Sequence, residues 1–261
     1  MKYLKYYFNI LFVPLSLTFS LILLSVQMFL ILSLVQLSDQ KQTLVFVLAG
    51  QSNMVGHAKV AMSKNALSPQ IIVLSDNGNW EKAVDSNVEL DRGPALFFAE
   101  KIHEETGKTI GLIQCAVDSS SIDQWNGPLF DSCLEKIKKA NLGNDKKLAA
   151  MLFMQGESEA FNCELGWKEK FTGMVFKFRK ELGFEFPVIF AQIADISTLC
   201  YRSIQEQQES ITISGVRMIK SDDLWVGSDL HFNLEGYKVL GERFARSYLD
   251  INYGFFKKII N

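Results

Sequence analysis

The sequence predicts an α/β protein in which helices cover a mainly parallel sheet. Two observations support this fold class. Short apolar runs alternate with longer amphipathic segments beyond Asp39, and no internal repeat or low-complexity linker interrupts the series. This alternation is typical of strands joined by helical crossovers. The chain has 261 residues, enough for one large domain or two small ones.

Each predicted strand is a short apolar run, and each predicted helix is a longer amphipathic segment. In the last helix Tyr237, Leu240, Phe244 and Tyr248 recur at spacings of three and four, which places them on one buried stripe, and Asn233 is a suitable N-cap. We expect Thr198–Ser221 to form a helix and a short strand. The predicted strands are Thr43–Ala49, Gln70–Leu74, Thr109–Ala116, Leu148–Met154 and Pro187–Ile193, and the predicted helices are Gly93–Thr106, Pro128–Ala140, Leu165–Leu182 and Leu234–Asp250.

Residues 1–38 differ in composition from the domain at 39–261 and are predicted to form one hydrophobic helix. No charged residue occurs from Tyr6 to Ser38, and a helix of this length can span a bilayer core of about 30 Å. Because Lys2 and Lys5 precede it, an uncleaved signal-anchor would insert in the membrane and leave the domain in a lumen or outside the cell. A cleaved signal peptide is the alternative, and it would give a secreted protein.

The charge and the cysteine and histidine content argue against nucleic-acid and metal binding. The 27 Lys and Arg residues and 29 Asp and Glu residues give a formal net charge of −2, which is too balanced for tight binding to a polyanion. We therefore expect no nucleic-acid partner. The four cysteines and three histidines show none of the spacings typical of zinc sites, so no metal is expected.

Ser52 is the strongest candidate for a nucleophile. It lies in the segment Gly50–Met54 directly after the first predicted strand, at the sheet edge where open α/β proteins bind ligands. A serine that only caps the next helix is the alternative. The chain contains no G-x-S-x-G nucleophile elbow, and the glycines here lack the spacing of a dinucleotide-binding loop.

A nucleophilic serine needs a base, and there are three histidines. His103 lies in the polar end of a predicted helix and is expected at the surface. His57 follows Ser52 by only five residues, so it can line the same pocket but has no obvious base geometry. His231 lies in the loop before the last helix and is the best base by elimination, although a loop histidine bonded to backbone is the alternative.

Two more segments, at a strand end and at a helix start, carry candidate site residues. Glu157 follows the predicted strand that ends at Met154, where a carboxylate can orient a histidine or favour the start of a helix. Gly93 precedes Pro94 at the start of a helix, and a glycine there can present a bare backbone N–H to a developing oxyanion.

Together these segments resemble the carbohydrate-esterase branch of the SGNH hydrolases, which includes sialate O-acetylesterase-like and acetylxylan esterase domains. The resemblance runs from about Thr43 to the C-terminus, with the blocks in the family's order. The matching blocks are Gly50-Gln-Ser-Asn-Met54, Arg92-Gly-Pro94, Ile110-Gly-Leu-Ile-Gln-Cys-Ala116 with Ser121-Ile-Asp-Gln-Trp125, Gln155-Gly-Glu-Ser158, and His231-Phe-Asn-x-x-Gly-Tyr237.

The resemblance implies a flavodoxin-like three-layer α/β/α sandwich with a mainly parallel five-stranded sheet. It also implies cofactor-free removal of acetyl groups from sugars, including sialic acid or acetylated polysaccharides, through an acetyl-serine intermediate. Ser52 is then the nucleophile and His231 the base. The backbone N–H groups of Ser52 and Gly93 form the oxyanion hole, with the Gln155 side chain a better third donor than Asn53. The expected substrate contacts are Asn53, His57, Asp118 and Trp125.

The sequence departs from the family in two places. Many relatives carry an aspartate three residues before the base histidine, but here that position is Ser228 and the nearest aspartate is Asp229. The acid of the triad is therefore Glu157 or Asp229, and the Glu157 position, which acetylxylan-type relatives suggest, is preferred. Asp118 stands where relatives tend to have glycine, which adds a carboxylate beside the expected pocket.

The four cysteines are expected in two kinds of environment. Cys163 and Cys200 fall in loops after neighbouring strands and can pair in an oxidising compartment. Cys115 and Cys133 are expected to be small buried hydrophobic residues.

The expected function is a carbohydrate O-acetylesterase. An esterase of the same fold acting on lipid or other small esters is the first alternative, consistent with the N-terminal apolar segment. A non-catalytic glycan-binding relative is the second, and only the displaced aspartate favours it.

Overall fold

The computed structural model describes residues 20, 22–30, 42–63, 67–86, 88, 90, 92–195, 200–224, 226 and 230–260, without the side chains of residues 253–260. Most of the predicted hydrophobic N-terminal helix lies outside these ranges, and residues 22–30 are helical. Over the described part of the chain, no helix combines the length and the apolar character needed to span a membrane.

Seven strands form one sheet within the described residues, in the order β3-β2-β4-β1-β5-β6-β7. Neighbouring strands are parallel throughout except at one edge, where β3 runs antiparallel to β2. The strands are β1 (Thr43–Gly50), β2 (Ile71–Leu74), β3 (Trp80–Lys82), β4 (Ile110–Gln114), β5 (Lys146–Met154), β6 (Val188–Ala191) and β7 (Val216–Ile219).

Helices cover both faces of this sheet, as predicted for a three-layer α/β/α fold. The longer ones are α2 (Ala95–Thr106), α4 (Pro128–Lys139), α6 (Trp167–Leu182), α7 (Tyr201–Glu209) and α8 (Leu234–Ile260), and the short ones are α1 (Ser52–Val55), α3 (Ile122–Trp125) and α5 (Glu157–Asn162).

The core consists of two apolar clusters, one on each face of the sheet. Along β1, Phe46 and Leu48 belong to the cluster beneath α2 and α8, whereas Val47 and Ala49 belong to the cluster beneath α4 and α6. Successive side chains of a strand point to opposite faces, so a continuous apolar run is required where both faces are covered. The predicted stripe of α8 is confirmed, since its four aromatic and leucine side chains are all buried in the first cluster.

The expectation of a five-stranded sheet is wrong, although all five predicted strands are present. The sheet also contains β3, whose three residues are too few for a periodic signal and are not fully buried. The other addition is β7, the short strand expected within Thr198–Ser221, which follows α7.

All four cysteines form disulfide bonds. Cys163 and Cys200, whose pairing the sequence left open, are bonded. Cys115 and Cys133 are also bonded, so the expectation that they are unpaired thiols is wrong. Both are buried as predicted, but burial alone does not distinguish a thiol from a half-cystine.

The sheet order brings three loops together. Strand β1 lies between β4 and β5, so successive crossovers place strands on opposite sides of it. A crevice at the carboxyl ends of the strands is characteristic of such a switch point. The segments that directly follow β1, β4 and β5 carry Ser52, Asp118 and Glu157, respectively.

Candidate active site

A tight turn at the end of β1 places Ser52 at the first residue of α1. Gly50 has φ +125°, and a Cβ atom there would lie 1.9 Å from the Met154 carbonyl oxygen, so only glycine fits. The Gln51 N–H donates to the same carbonyl at 2.8 Å. The turn is thus fixed to the end of β5, and Ser52 is left half-buried at the carboxyl edge of the sheet.

Gly93 is held against the end of α1. A Cβ atom on Gly93 would lie 2.8 Å from both the Gly56 Cα and the Val55 carbonyl oxygen, and the Ala58 N–H donates to the Arg92 carbonyl at 3.0 Å. Two backbones can approach this closely only where both residues lack side chains. Within the described residues, the N–H groups of Ser52 and Gly93 have no backbone acceptor.

His231 lies in the loop before α8 and is half-buried. Its ring stacks on the ring of His57, with centroids 4.5 Å apart and an interplanar angle of 21°. The next residue, Phe232, is buried and packs edge-on against Tyr237. Asn233 accepts a 2.7 Å hydrogen bond from the Gly236 N–H, which confirms the predicted cap.

Asn53 connects the nucleophile segment with the histidine loop. Its Nδ2 donates to Glu157 Oε1 at 2.8 Å and to the Leu230 carbonyl oxygen at 3.2 Å. Its Oδ1 accepts from the Tyr237 hydroxyl at 2.9 Å, and the His57 N–H donates to that hydroxyl at 3.2 Å. The Asn53 side chain therefore joins the segment that carries Ser52 to Leu230, the residue before His231.

Glu157 opens α5 and is 5% exposed. Burial raises the pKa of its carboxyl, and the hydrogen bond from Asn53 opposes that shift. Oε2 is buried and has no hydrogen-bond partner among the described residues. Oε1 is bonded to Asn53 and Oε2 to no described residue, so neither oxygen holds the His231 imidazole. Asp229, the other candidate acid, lies outside the described residues.

The Gln155 amide is enclosed in the core rather than directed at Ser52. Its Nε2 donates to Gln51 Oε1 at 3.2 Å, to the Ser120 carbonyl at 3.1 Å and to the Glu159 carboxylate, while its Oε1 accepts from Trp167 at 2.8 Å. Because both polar atoms of this amide have protein partners, the Gln155 side chain has no free donor for an oxyanion.

Glu159 and Gln51 complete this buried network. Glu159 accepts from the Ile122 N–H at 2.6 Å, and burial raises the pKa of its carboxyl. The network fixes the loop after β5 to the segment that carries the nucleophile.

Asp118 and His57 form a pair that faces solvent. His57 Nε2 lies 2.7 Å from Asp118 Oδ1, and the two side chains are 38% and 53% exposed. The loop that carries Asp118 is fixed by the Val117 N–H and the Ser120 hydroxyl, which donate to the Gly50 carbonyl at 3.0 and 3.2 Å.

Trp125 is fully buried and is not a wall of an open pocket. Its Nε1 donates to the Ser120 hydroxyl at 3.0 Å, beneath the Asp118 loop. Its ring is therefore not available to contact a substrate. His103, by contrast, bonds to the Lys108 carbonyl at 2.8 Å near the end of α2, away from these loops in the chain.

Tyr237 has a polar role that its place in the apolar stripe does not predict. Its ring is buried in the stripe, but its hydroxyl bridges Asn53 and His57. Its place in the His231-Phe-Asn-x-x-Gly-Tyr237 block was the available signal. In the described residues, no group of three or more His, Cys, Asp or Glu side chains is arranged to hold a metal ion.

Comparison with known protein families shows the family to which the chain belongs. Residues 42–250 match the family described as carbohydrate esterase, sialic acid-specific acetylesterase. The chain belongs to this family of carbohydrate esterases. The resemblance inferred from the five sequence blocks is thereby confirmed.

Individual relatives agree with this assignment. The chain is similar to a probable carbohydrate esterase of Arabidopsis thaliana, with 25% identity over 236 residues that cover 78% of this chain and 90% of the relative. Among solved structures, it is similar to an Arabidopsis thaliana protein, with a TM-score of 0.72, 23% identity, and coverage of 80% of this chain and 98% of the other.

Two further structures have the same fold at lower identity. NanS gives a TM-score of 0.64 at 14% identity, covering 81% of this chain and 98% of that one. A carbohydrate acetylesterase from Xanthomonas citri gives 0.61 at 18% identity, covering 80% of this chain and 56% of that one, so the chain spans little more than half of that relative.

Proposed function

We propose that the chain is a serine-dependent O-acetylesterase that removes acetyl groups from carbohydrate through an acetyl-serine intermediate. The observation that carries the proposal is the 3.2 Å hydrogen bond from Asn53, next to Ser52, to the carbonyl oxygen of Leu230, next to His231. It ties the segments of nucleophile and base together at the carboxyl edge of β1. Membership of a carbohydrate esterase family supports the same reaction class.

In the proposed reaction, His231 accepts the proton of the Ser52 hydroxyl as the oxygen attacks the acetyl carbonyl carbon. The N–H groups of Ser52 and Gly93 donate to the oxyanion of the tetrahedral intermediate. As that intermediate collapses, His231 protonates the sugar alkoxide, which leaves. Water, deprotonated by His231, then attacks the acetyl-serine, and His231 returns that proton to the departing Ser52 oxygen as acetate is released.

The acid of the triad is proposed to be Asp229 rather than Glu157, which reverses the preference taken from the sequence. The reason is that the Glu157 carboxylate is engaged with Asn53 and has no bond to His231. Glu157 is then a positioning residue, because it fixes the Asn53 amide that bonds to the Leu230 carbonyl.

We also propose that the domain works in an oxidising compartment outside the cytoplasm, as an extracellular or secreted enzyme. The two disulfide bonds support this location, because glutathione and thioredoxin keep most cytosolic thiols reduced.

Acetate release from acetylated xylo-oligosaccharides and O-acetylated sialic acid tests the proposal, with a long-chain fatty ester as the comparison. We expect the sugar esters to be cleaved faster, and Ser52→Ala to lose on the order of 10⁴-fold in turnover. Ser214→Ala, an exposed serine before β7, is the matched control and should retain full activity. A Ser52→Ala enzyme with more than a tenth of wild-type turnover would refute the serine mechanism, and preferential cleavage of the long-chain ester would refute the substrate class.

A further inference from the structure

The pair formed by His57 and Asp118 borders the proposed catalytic centre on the solvent side. His57 stacks directly on His231, with ring centroids 4.5 Å apart. The Asp118 loop is bonded to the Gly50 carbonyl oxygen by two donors. Gly50 precedes Ser52 by two residues, a span of at most about 7 Å. A substrate bound at Ser52 therefore comes close to this pair.

The geometry fixes which hydrogen-bonding groups the pair presents. A carboxylate only accepts, so the 2.7 Å contact requires that His57 Nε2 carries a proton and donates it to Asp118 Oδ1. In the neutral ring Nδ1 is then an acceptor. Asp118 is 53% exposed, and its Oδ2 has no partner among the described residues. With the imidazole neutral, the pair thus offers acceptors to the incoming substrate, and the Asp118 carboxylate carries a negative charge.

We propose that Asp118, oriented by His57, selects acetylated sugars that are uncharged near the reacting ester and carry free hydroxyl groups beside it. Sugar hydroxyls donate to the carboxylate, whereas a sugar carboxylate is repelled by it. This inference rests on the proposed function, since it names the substrate class of that site.

Arg92 brings a positive charge to the same group of loops, where its Nη1 donates to the Ala58 carbonyl at 3.4 Å. An anionic sugar therefore meets charges of both signs. For this reason the contribution of Asp118 is the difference between the wild type and the Asp118 variants in their preference for uncharged over anionic sugar esters. The absolute preference of the enzyme also includes the effect of Arg92.

The experiment compares two O-acetyl esters that differ in charge at C1: N-acetylneuraminic acid acetylated at O4, and the same compound with its C1 carboxylate converted to a methyl ester. Acetate release gives kcat/KM for each, and the ratio of methyl ester to free acid is measured for each variant. In Asp118→Asn we expect this ratio to fall five- to tenfold below the wild-type ratio. Asp118→Glu, which keeps the charge, should restore most of it, and Asp131→Asn, an exposed aspartate on α4, should match the wild type.

Ionic strength provides a second readout that a merely structural role would not affect. The screening length falls from about 10 Å at 0.1 M to about 3 Å at 1 M salt. The difference in ratio between wild type and Asp118→Asn should therefore shrink at 1 M salt.

The hydroxyl contact is tested with a mono-acetylated methyl glucopyranoside and the same ester with its remaining hydroxyls methylated. The wild type should prefer the free hydroxyls, through KM, and Asp118→Asn should lose that preference. Equal ratios in wild type and an active Asp118→Asn, for both substrate pairs, would overturn this inference and leave the proposed function intact. Failure of the wild type to release acetate from any sugar ester would overturn both.

Discussion

The Asn53 amide lies 2.8 Å from the Glu157 carboxylate, although 104 positions separate the two residues in the chain. The same nitrogen also reaches the Leu230 carbonyl. The loops after β1 and β5 and the loop before α8 are therefore held together by one buried side chain. This arrangement explains how three distant segments keep a fixed relative position at the edge of the sheet.

Replacing each candidate acid separately distinguishes its role. Asp229→Asn is expected to lower kcat by 10²- to 10⁴-fold, since a triad acid fixes the tautomer and orientation of the imidazole (about 10⁴ for the serine protease template). Glu157→Gln keeps an acceptor for Asn53 and should cost about tenfold. Steady-state kinetics on one acetylated sugar measure both. A crippled Glu157→Gln beside a nearly normal Asp229→Asn would return the triad role to Glu157.

Glu157 also makes stability depend on pH. Because burial raises its pKa in the folded state, the unfolded chain ionises first as pH rises through the ordinary glutamate value of 4.5. Wild type should therefore lose stability relative to Glu157→Gln from that pH upward, until the folded state ionises as well. The loss is about 1.4 kcal/mol for each unit by which the pKa is raised.

Urea unfolding of wild type and Glu157→Gln at a series of pH values measures this effect. The difference between the two free energies of unfolding is the relevant quantity, because Glu159, whose pKa burial also raises, is common to both proteins and largely cancels. A difference that stays constant from pH 4 to 8 would show that Glu157 ionises alike in both states.

The close approach of Gly93 to Gly56 predicts a catalytic defect without loss of folding. In Gly93→Ala the new Cβ would lie 2.8 Å from the Gly56 Cα, so the backbone must shift and the Gly93 N–H with it. Removal of one oxyanion donor typically costs 10²- to 10³-fold in kcat. Gly143→Ala is the control, because its Cβ would make only an ordinary contact, 3.5 Å from Asp145 Oδ1. Wild-type kcat in a folded Gly93→Ala would exclude this donor.

The sheet was predictable because its strands carry strong local signals. Strand β1 is a continuous apolar run, as a strand buried on both faces must be, and α8 shows a clear stripe of buried residues. Strand β3 and helices α1, α3 and α5 have three to six residues, too few for a period to be recognised. Their positions depend on tertiary contacts instead.

The candidate site was only partly predictable, for a related reason. The sequence predicts that Ser52, Glu157 and Asp118 follow strand ends. It does not predict the directions of their side chains. The hydrogen bonds that turn Glu157 toward Asn53 and enclose Gln155 against Trp167 join residues far apart in the chain. Likewise, nothing local in the sequence distinguishes the half-cystines Cys115 and Cys133 from buried thiols.

The Cys163–Cys200 bond links the end of α5 to the start of α7 and closes a loop of 37 residues, whereas the Cys115–Cys133 loop has 18. A disulfide restricts the unfolded chain more when its loop is longer, and typically contributes about 2–4 kcal/mol. Cys163→Ser/Cys200→Ser should therefore reduce the free energy of unfolding by about 0.6 kcal/mol more than Cys115→Ser/Cys133→Ser does, on loop entropy alone. Denaturant unfolding of both double variants measures the two losses. An equal or smaller loss for Cys163→Ser/Cys200→Ser would show that loop length does not determine how much these bonds contribute.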